Sequence, residues 1–80
     1  MSEGPEERSW VIGVNQSLKL IRSGKAKRVI LAKDVDVMFA TKVMNEVKRA
    51  GVIEIDTRFT SHQLAEKAGV DVPTAIITEF

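Results

Sequence analysis

Four glycines, Gly13, Gly24, Gly51 and Gly69, cut this chain into short alternating runs, and that punctuation narrows the fold more than any other feature. Ser9-Trp10-Val11-Ile12 reads as a strand stopped by Gly13. Residues 14–23 read as a helix with Gly24 as its C-cap. Between Lys27 and Ala32 lies the apolar run Val29-Ile30-Leu31, which suits a central strand buried on both faces. A second helix follows to about Arg49, capped by Asp34 or Asp36 and closed by Gly51. Val52-Ile53-Glu54-Ile55 is the next strand. Thr60-Ser61-His62-Gln63 has the spacing of a capping box and opens a short helix through Lys67, ended by Gly69. Val70 to Pro73 is a loop, and Thr74 to Thr78 a last strand. Residues 1–8 read as a frayed arm or a single helical turn. Strands alternating with helices over 80 residues predict one α/β sandwich domain spanning 1–80.

The helical periodicity assigns faces. Val14, Leu18 and Ile21 form one apolar stripe, with Asn15, Lys19 and Arg22 opposite, joined by Gln16 and Ser23. In the second helix, Val37, Ala40, Val43, Met44 and Val47 are expected to face inward. Thr41, Lys42, Asn45, Lys48 and Arg49 are expected to face out.

Composition excludes several kinds of chemistry. With no cysteine there is no disulfide, thiolate or cysteine-held zinc. No apolar run approaches the roughly 20 residues that span a bilayer. The acidic N-terminus, Met1 to Arg8, has neither the basic start nor the apolar middle of a secretory signal. A cytoplasmic protein without a membrane partner is expected. His62, the only histidine, falls in a first helical turn and reads as a solvated residue, not a general base. Asp34 and Asp36 could do acid–base or metal work, but Asp-x-Asp before a helix is common capping chemistry, and two carboxylates are too few for a metal site. Gly13 and Gly24 form neither a dinucleotide nor a Walker loop. No enzyme, metal or cofactor is expected.

The charge distribution is more informative than the net charge of +1. Six basic residues (Lys19, Arg22, Lys25, Lys27, Arg28 and Lys33) and no acid lie between Ser9 and Lys33. Such clustering fits a polyanion partner, or a solvated face balanced by acids elsewhere. The turn into the first helix sharpens the first reading. A helix N-terminus offers unpaired N–H groups to phosphate, and Gly13 lets a nucleic-acid backbone approach closely. Asn15 and Gln16 carry both donor and acceptor for base edges, and Lys19 adds a charge. The loop from Gly69 to Pro73 is a second candidate: Val70 and Val72, flanking Asp71, could pack on an unstacked base or turn into the core.

The run from Gly13 to Lys27 resembles the signature of the kink-turn-binding ribosomal proteins, the L7Ae/L30e family with its fifteen-kilodalton small-nucleolar relatives. Two further stretches match in order and spacing, Val29 to Asp36 and Gln63 to Pro73, so the likeness covers Trp10 to Ile77. The minimal length is similar to that of small bacterial members. The resemblance implies a three-layer α-β-α sandwich around a mixed four-stranded sheet. It also implies a monomer that binds a kink-turn, an RNA duplex bent at a three-nucleotide bulge followed by tandem sheared G·A pairs. On that likeness Gly13, Asn15, Gln16 and Lys19 meet the G·A pairs. Val70, Asp71, Val72 and Pro73 cover a flipped bulge nucleotide, and Asp36 contacts its base edge. Lys33, Arg22, Lys25 and Lys27 become phosphate neighbours. The target could be ribosomal RNA, a riboswitch or another structured RNA. Gln16 stands where archaeal members carry Glu, and Val37 where many carry Pro. Leu64-Ala65-Glu66-Lys67-Ala68-Gly69 replaces the common Leu-Gly-x-Ala-Cys-Gly. Some relatives of such folds bind proteins instead, so a protein-interaction module using Lys42, Asn45 and Arg49 is the alternative.

Overall fold

A computed structural model describes residues 10–51 and 54–80, and these follow the expected alternation. The elements are β1 (Trp10–Ile12), α1 (Val14–Ser23), β2 (Arg28–Leu31), α2 (Val37–Ala50), β3 (Glu54–Asp56), α3 (Ser61–Ala68) and β4 (Ile76–Glu79). The expectations for residues 1–8, for Ser9 at the start of the first strand, and for Val52 and Ile53 lie outside the described residues. The strands form one mixed sheet in the order β1-β4-β2-β3, with β2 and β3 parallel and the other pairs antiparallel.

Strand pleating sorts the sheet into two faces. Val29, Leu31 and Ile76 point to one face, where they pack with Leu18 and Ile21 of α1 and Val43 and Val47 of α2. Ile30 and Ile77 point to the other, beneath Leu64 of α3. Two helices on one face and one on the other make the three-layer sandwich. The helix ends obey local rules. Gly24 and Gly69 take left-handed backbone, each donating its N–H back to the last turn of its helix. Thr60 and Gln63 form the reciprocal capping box. Of the two candidate caps for α2, Asp36 does the capping: its Oδ2 accepts from the N–H groups of Met38 (3.0 Å) and Phe39 (3.3 Å).

Three side-chain placements differ from the sequence reading. In α2 the stripe against the core is Phe39, Ala40, Val43, Val47 and Ala50, with Phe39 not foreseen from sequence, while Val37 is 76% exposed and Met44 is 36% exposed. At 100° per residue, Val37 and Met44 sit roughly 100° round the helix from the centre of that stripe, too far to reach the sheet. In α1, Val14 shares the direction of Leu18 and Ile21, but as the first helical residue it is 36% exposed. Ser17, a polar residue off the expected stripe, is instead fully buried alongside Ile21.

The rear of the sheet is pinned by a buried carboxylate. Asp56, at the end of β3, accepts from Arg28 Nη2 (2.8 Å) and from Arg58 Nη2 (2.8 Å), Nε (3.1 Å) and backbone N–H (3.0 Å). The Arg58 guanidinium first, then the Arg58 N–H and Arg28, hold the Asp56 carboxyl well below the usual carboxylate range. Because folding lowers this pKa, its contribution is complete above about pH 4, the unfolded value, and is lost as pH falls toward the folded one. Asp56→Ala is expected to lower stability at pH 7 by about 2 kcal/mol, as for lost hydrogen bonds to charged groups. The variant should also lose less on acidification than the wild type. Urea unfolding at pH 7 and pH 3 checks this; parallel loss in both proteins would remove Asp56 from the account.

Candidate nucleic-acid interface

The fold gathers three loops at one end of the sheet, where β1 and β2 stop and β4 begins. Backbone hydrogen bonds hold them together. The Gly13 N–H at the β1–α1 turn donates to Ile76 O (3.1 Å), and the Ala32 N–H at the end of β2 donates to Ala75 O (2.8 Å). The Lys33 N–H donates to Phe59 O (2.8 Å), and the Thr74 N–H closes the α3–β4 loop onto Ser61 O (3.0 Å). Asp34 adds a side-chain clasp, accepting from the Ser61 N–H at 2.8 Å and Oγ at 2.9 Å. Those two bonds, the backbone one first, lower the Asp34 pKa. A carboxylate that reads as a possible cap is therefore a tie between the β2–α2 and β3–α3 connections.

On this frame the residues singled out from sequence separate. Gly13 has φ +108, a backbone that residues with side chains rarely adopt, so the turn requires glycine. Gly13 provides no side-chain cap, and the first turn of α1 has no acid. Asn15, Gln16 and Lys19 are exposed on the turns that follow. Lys33 and Asp36 are exposed on the neighbouring loop. In the α3–β4 loop Asp71 and Pro73 are exposed, Val72 is 65% exposed and Val70 is half-buried. Of the two readings of those valines, Val72 takes the outward one. Val37 and Met38, at the start of α2, add two more exposed apolar side chains at this end.

Other basic residues are elsewhere. Arg22, two turns along α1, donates to Glu46 of α2 at 3.3 Å. Lys25 and Lys27 follow the far end of α1, and the Lys27 N–H meets Glu79 O (2.7 Å) at the opposite end of the sheet from Gly13. The geometry thus brings together Gly13, Asn15, Gln16, Lys19, Lys33, Asp36 and the 70–73 loop, and leaves Lys25 and Lys27 apart. The result is an exposed surface that mixes amide side chains, helix N–H groups, lysines and aliphatic patches. Such a surface can hydrogen-bond base edges, neutralise phosphate and cover an unstacked base. The Asp34–Ser61 clasp was not legible as a contact, because its partners are 27 positions apart.

Comparison with known proteins agrees with this architecture. The profile of the Ribosomal protein L7Ae/L30e/S12e/Gadd45 family matches residues 4–79. An RNA-binding protein of Staphylococcus aureus (strain JH9) is 24% identical over 71 residues, covering 89% of this chain and 83% of the relative. The 15.5kD RNA binding protein of Giardia lamblia superposes with a TM-score of 0.77 at 25% identity, over 88% of this chain and 58% of that one. A Bacillus halodurans protein of unknown function gives the same TM-score, 0.77, at 19% identity, over 86% of this chain and 68% of that one. No described helix is long and apolar enough to cross a membrane.

Proposed function

We propose that this chain, which belongs to the ribosomal protein L7Ae/L30e/S12e/Gadd45 family, is a non-enzymatic RNA-binding protein that recognises and stabilises kink-turns, in ribosomal RNA or another structured RNA. The observation that carries the reading is the convergence at one end of the sheet of the Gly13–Lys19 turn, the Lys33–Asp36 loop and the Val70–Pro73 loop, joined by backbone hydrogen bonds. The RNA-binding relatives from S. aureus and G. lamblia support RNA as the partner class.

The mechanism is a population shift. A kink-turn exchanges between extended and bent forms, and a protein that binds the bent form better moves the equilibrium by its differential affinity. Asn15 and Gln16 supply paired donors and acceptors to the G·A base edges, while Lys19 and Lys33 supply phosphate contacts that set salt dependence. The aliphatic side of the 70–73 loop, with Val72 outermost, covers the extruded bulge base, and Asp36 keeps its second oxygen for that base's edge. Magnesium screens phosphates to the same end, so protein and magnesium substitute in part for one another. Energy transfer between dyes on the two RNA arms tests this: adding protein without magnesium should bring the arms together, and unchanged transfer at saturating protein would contradict the mechanism.

Lys27→Ala separates the recognition surface from bulk charge. Because Lys27 sits at the opposite end of the sheet, its loss should change kink-turn affinity by less than about twofold and act alike on any RNA. Filter binding at fixed salt measures it, and a kink-turn-selective loss would mean the interface lies elsewhere. The competing reading, a protein-interaction module around Lys42, Asn45 and Arg49, has all three exposed on α2, with the exposed apolar Val37 and Met44 on the side adjoining Asn45. Its mark is a protein complex that survives ribonuclease.

A further inference from the structure

The α3 layer covers only part of its face of the sheet. Cross-strand pairing places Ile12, Ile77 and Ile30 in one row on that face, and Trp10, Glu79 and Arg28 in the next row, two residues along each strand. Leu64 of α3 packs on Ile30 and Ile77. The helix has eight residues, about 12 Å at 1.5 Å each, and the Trp10–Glu79–Arg28 row lies open among the described residues. The result is a groove of about 390 Å³ between that row and the side chains of Arg58, Phe59 and Lys67. Trp10 is 43% exposed within it. Lys67 Nζ lies 4.5 Å and the Arg58 guanidinium 5.4 Å from the centre of the Phe59 ring. Among the described residues, the acids facing the groove are Glu79 and, behind the arginines, Asp56, whose oxygens are engaged by Arg28 and Arg58. Arg28 Nε is buried with no partner among the described residues.

Two aromatic rings beside three cations on an open sheet face form the kind of platform on which single-stranded nucleic acid stacks without base preference. We propose that this groove is a second RNA contact, seating one or two unpaired nucleotides with a base against Trp10 and the phosphate at Lys67 and Arg58. It is separate from the Gly13–Asp36 end of the sheet. It rests on RNA as the partner class and not on kink-turn recognition. It would hold an unpaired strand that continues beyond a structured element.

Trp10 is the only tryptophan, so its fluorescence reports occupancy of the groove directly. The test titrates hexauridylate, which cannot form a kink-turn, into the full chain at low salt. The expected result is saturable quenching that Lys67→Glu weakens by roughly tenfold, the loss of about one stacked, charge-assisted contact, and that Asn15→Ala leaves unchanged. Labelled hexauridylate should also bind Trp10→Ala more weakly than wild type. Absence of quenching at millimolar oligonucleotide overturns the proposal. So does quenching that Lys67→Glu leaves intact or Asn15→Ala abolishes, since the oligonucleotide would then sit elsewhere. Failure of kink-turn selectivity with quenching retained would strike the proposed function and leave this contact standing.

Discussion

Asn15→Ala should weaken binding to a kink-turn RNA by about 1–3 kcal/mol, the range for losing a bidentate base contact. It should leave binding to a plain duplex nearly unchanged. Asn15 stands in the first turn of α1 and is exposed, so the substitution removes no core contact. The loss therefore belongs to recognition, and the unfolding midpoint of the variant should match the wild type. The cost can exceed that of one hydrogen bond, because base-edge groups desolvated at the interface are left without a partner. Isothermal titration against both RNAs, with thermal unfolding of both proteins, decides the matter. Wild-type kink-turn affinity in the variant, or equal losses on the two RNAs, would remove Asn15 from the site.

Leu64→Ala should lower stability by about 2–5 kcal/mol, the usual span for truncating a fully buried leucine. Leu64 is wholly inaccessible and is the main anchor between α3 and the sheet, packing with Ile30, Ala32 and Ile77. A domain of this size is marginal, with total stability of order 5 kcal/mol, so much of the variant should be unfolded at 37 °C. α3 also holds the 70–73 loop through the Val70 N–H bond to Ala65 O and the Thr74 N–H bond to Ser61 O. Kink-turn affinity should consequently fall in proportion to the folded fraction and recover at lower temperature. Urea unfolding gives the stability directly. A change below about 1 kcal/mol would mean that α3 is held by something other than this apolar contact.

The order of elements was legible because it is written locally. A glycine beyond each helix, the Thr60–Gln63 box and the apolar Val29-Ile30-Leu31 run each act within a few residues, so they can be read without knowing the fold. The candidate surface was legible for a related reason. Gly13, Asn15, Gln16 and Lys19 lie within two helical turns; the 70–73 loop drew notice by its own two valines, and the likeness to a known signature set it beside them. Choices that depend on tertiary geometry were not readable. Asp34 and Asp36 are equivalent as sequence, and only the approach of Ser61 makes one a clasp and the other a cap. Val37 and Met44 belong to an apolar stripe wider than the surface α2 presents to the core. The Asp56 cluster joins Arg28 and Arg58 across β2 and β3, a pairing fixed by strand register. The open Trp10–Glu79–Arg28 row also follows from register, together with the short reach of α3.

Recognition of the bent RNA by three convergent loops should depend on its G·A pairs. The most direct test compares affinities, in one buffer without magnesium, for a kink-turn RNA and for the same RNA with its tandem G·A pairs replaced by Watson–Crick pairs. Tight binding to the first is expected, and binding weaker by roughly a thousandfold to the second, the separation between specific and non-specific complexes. Equal affinities that fall together as salt rises would contradict that dependence, leaving a basic surface that binds RNA without reading the kink.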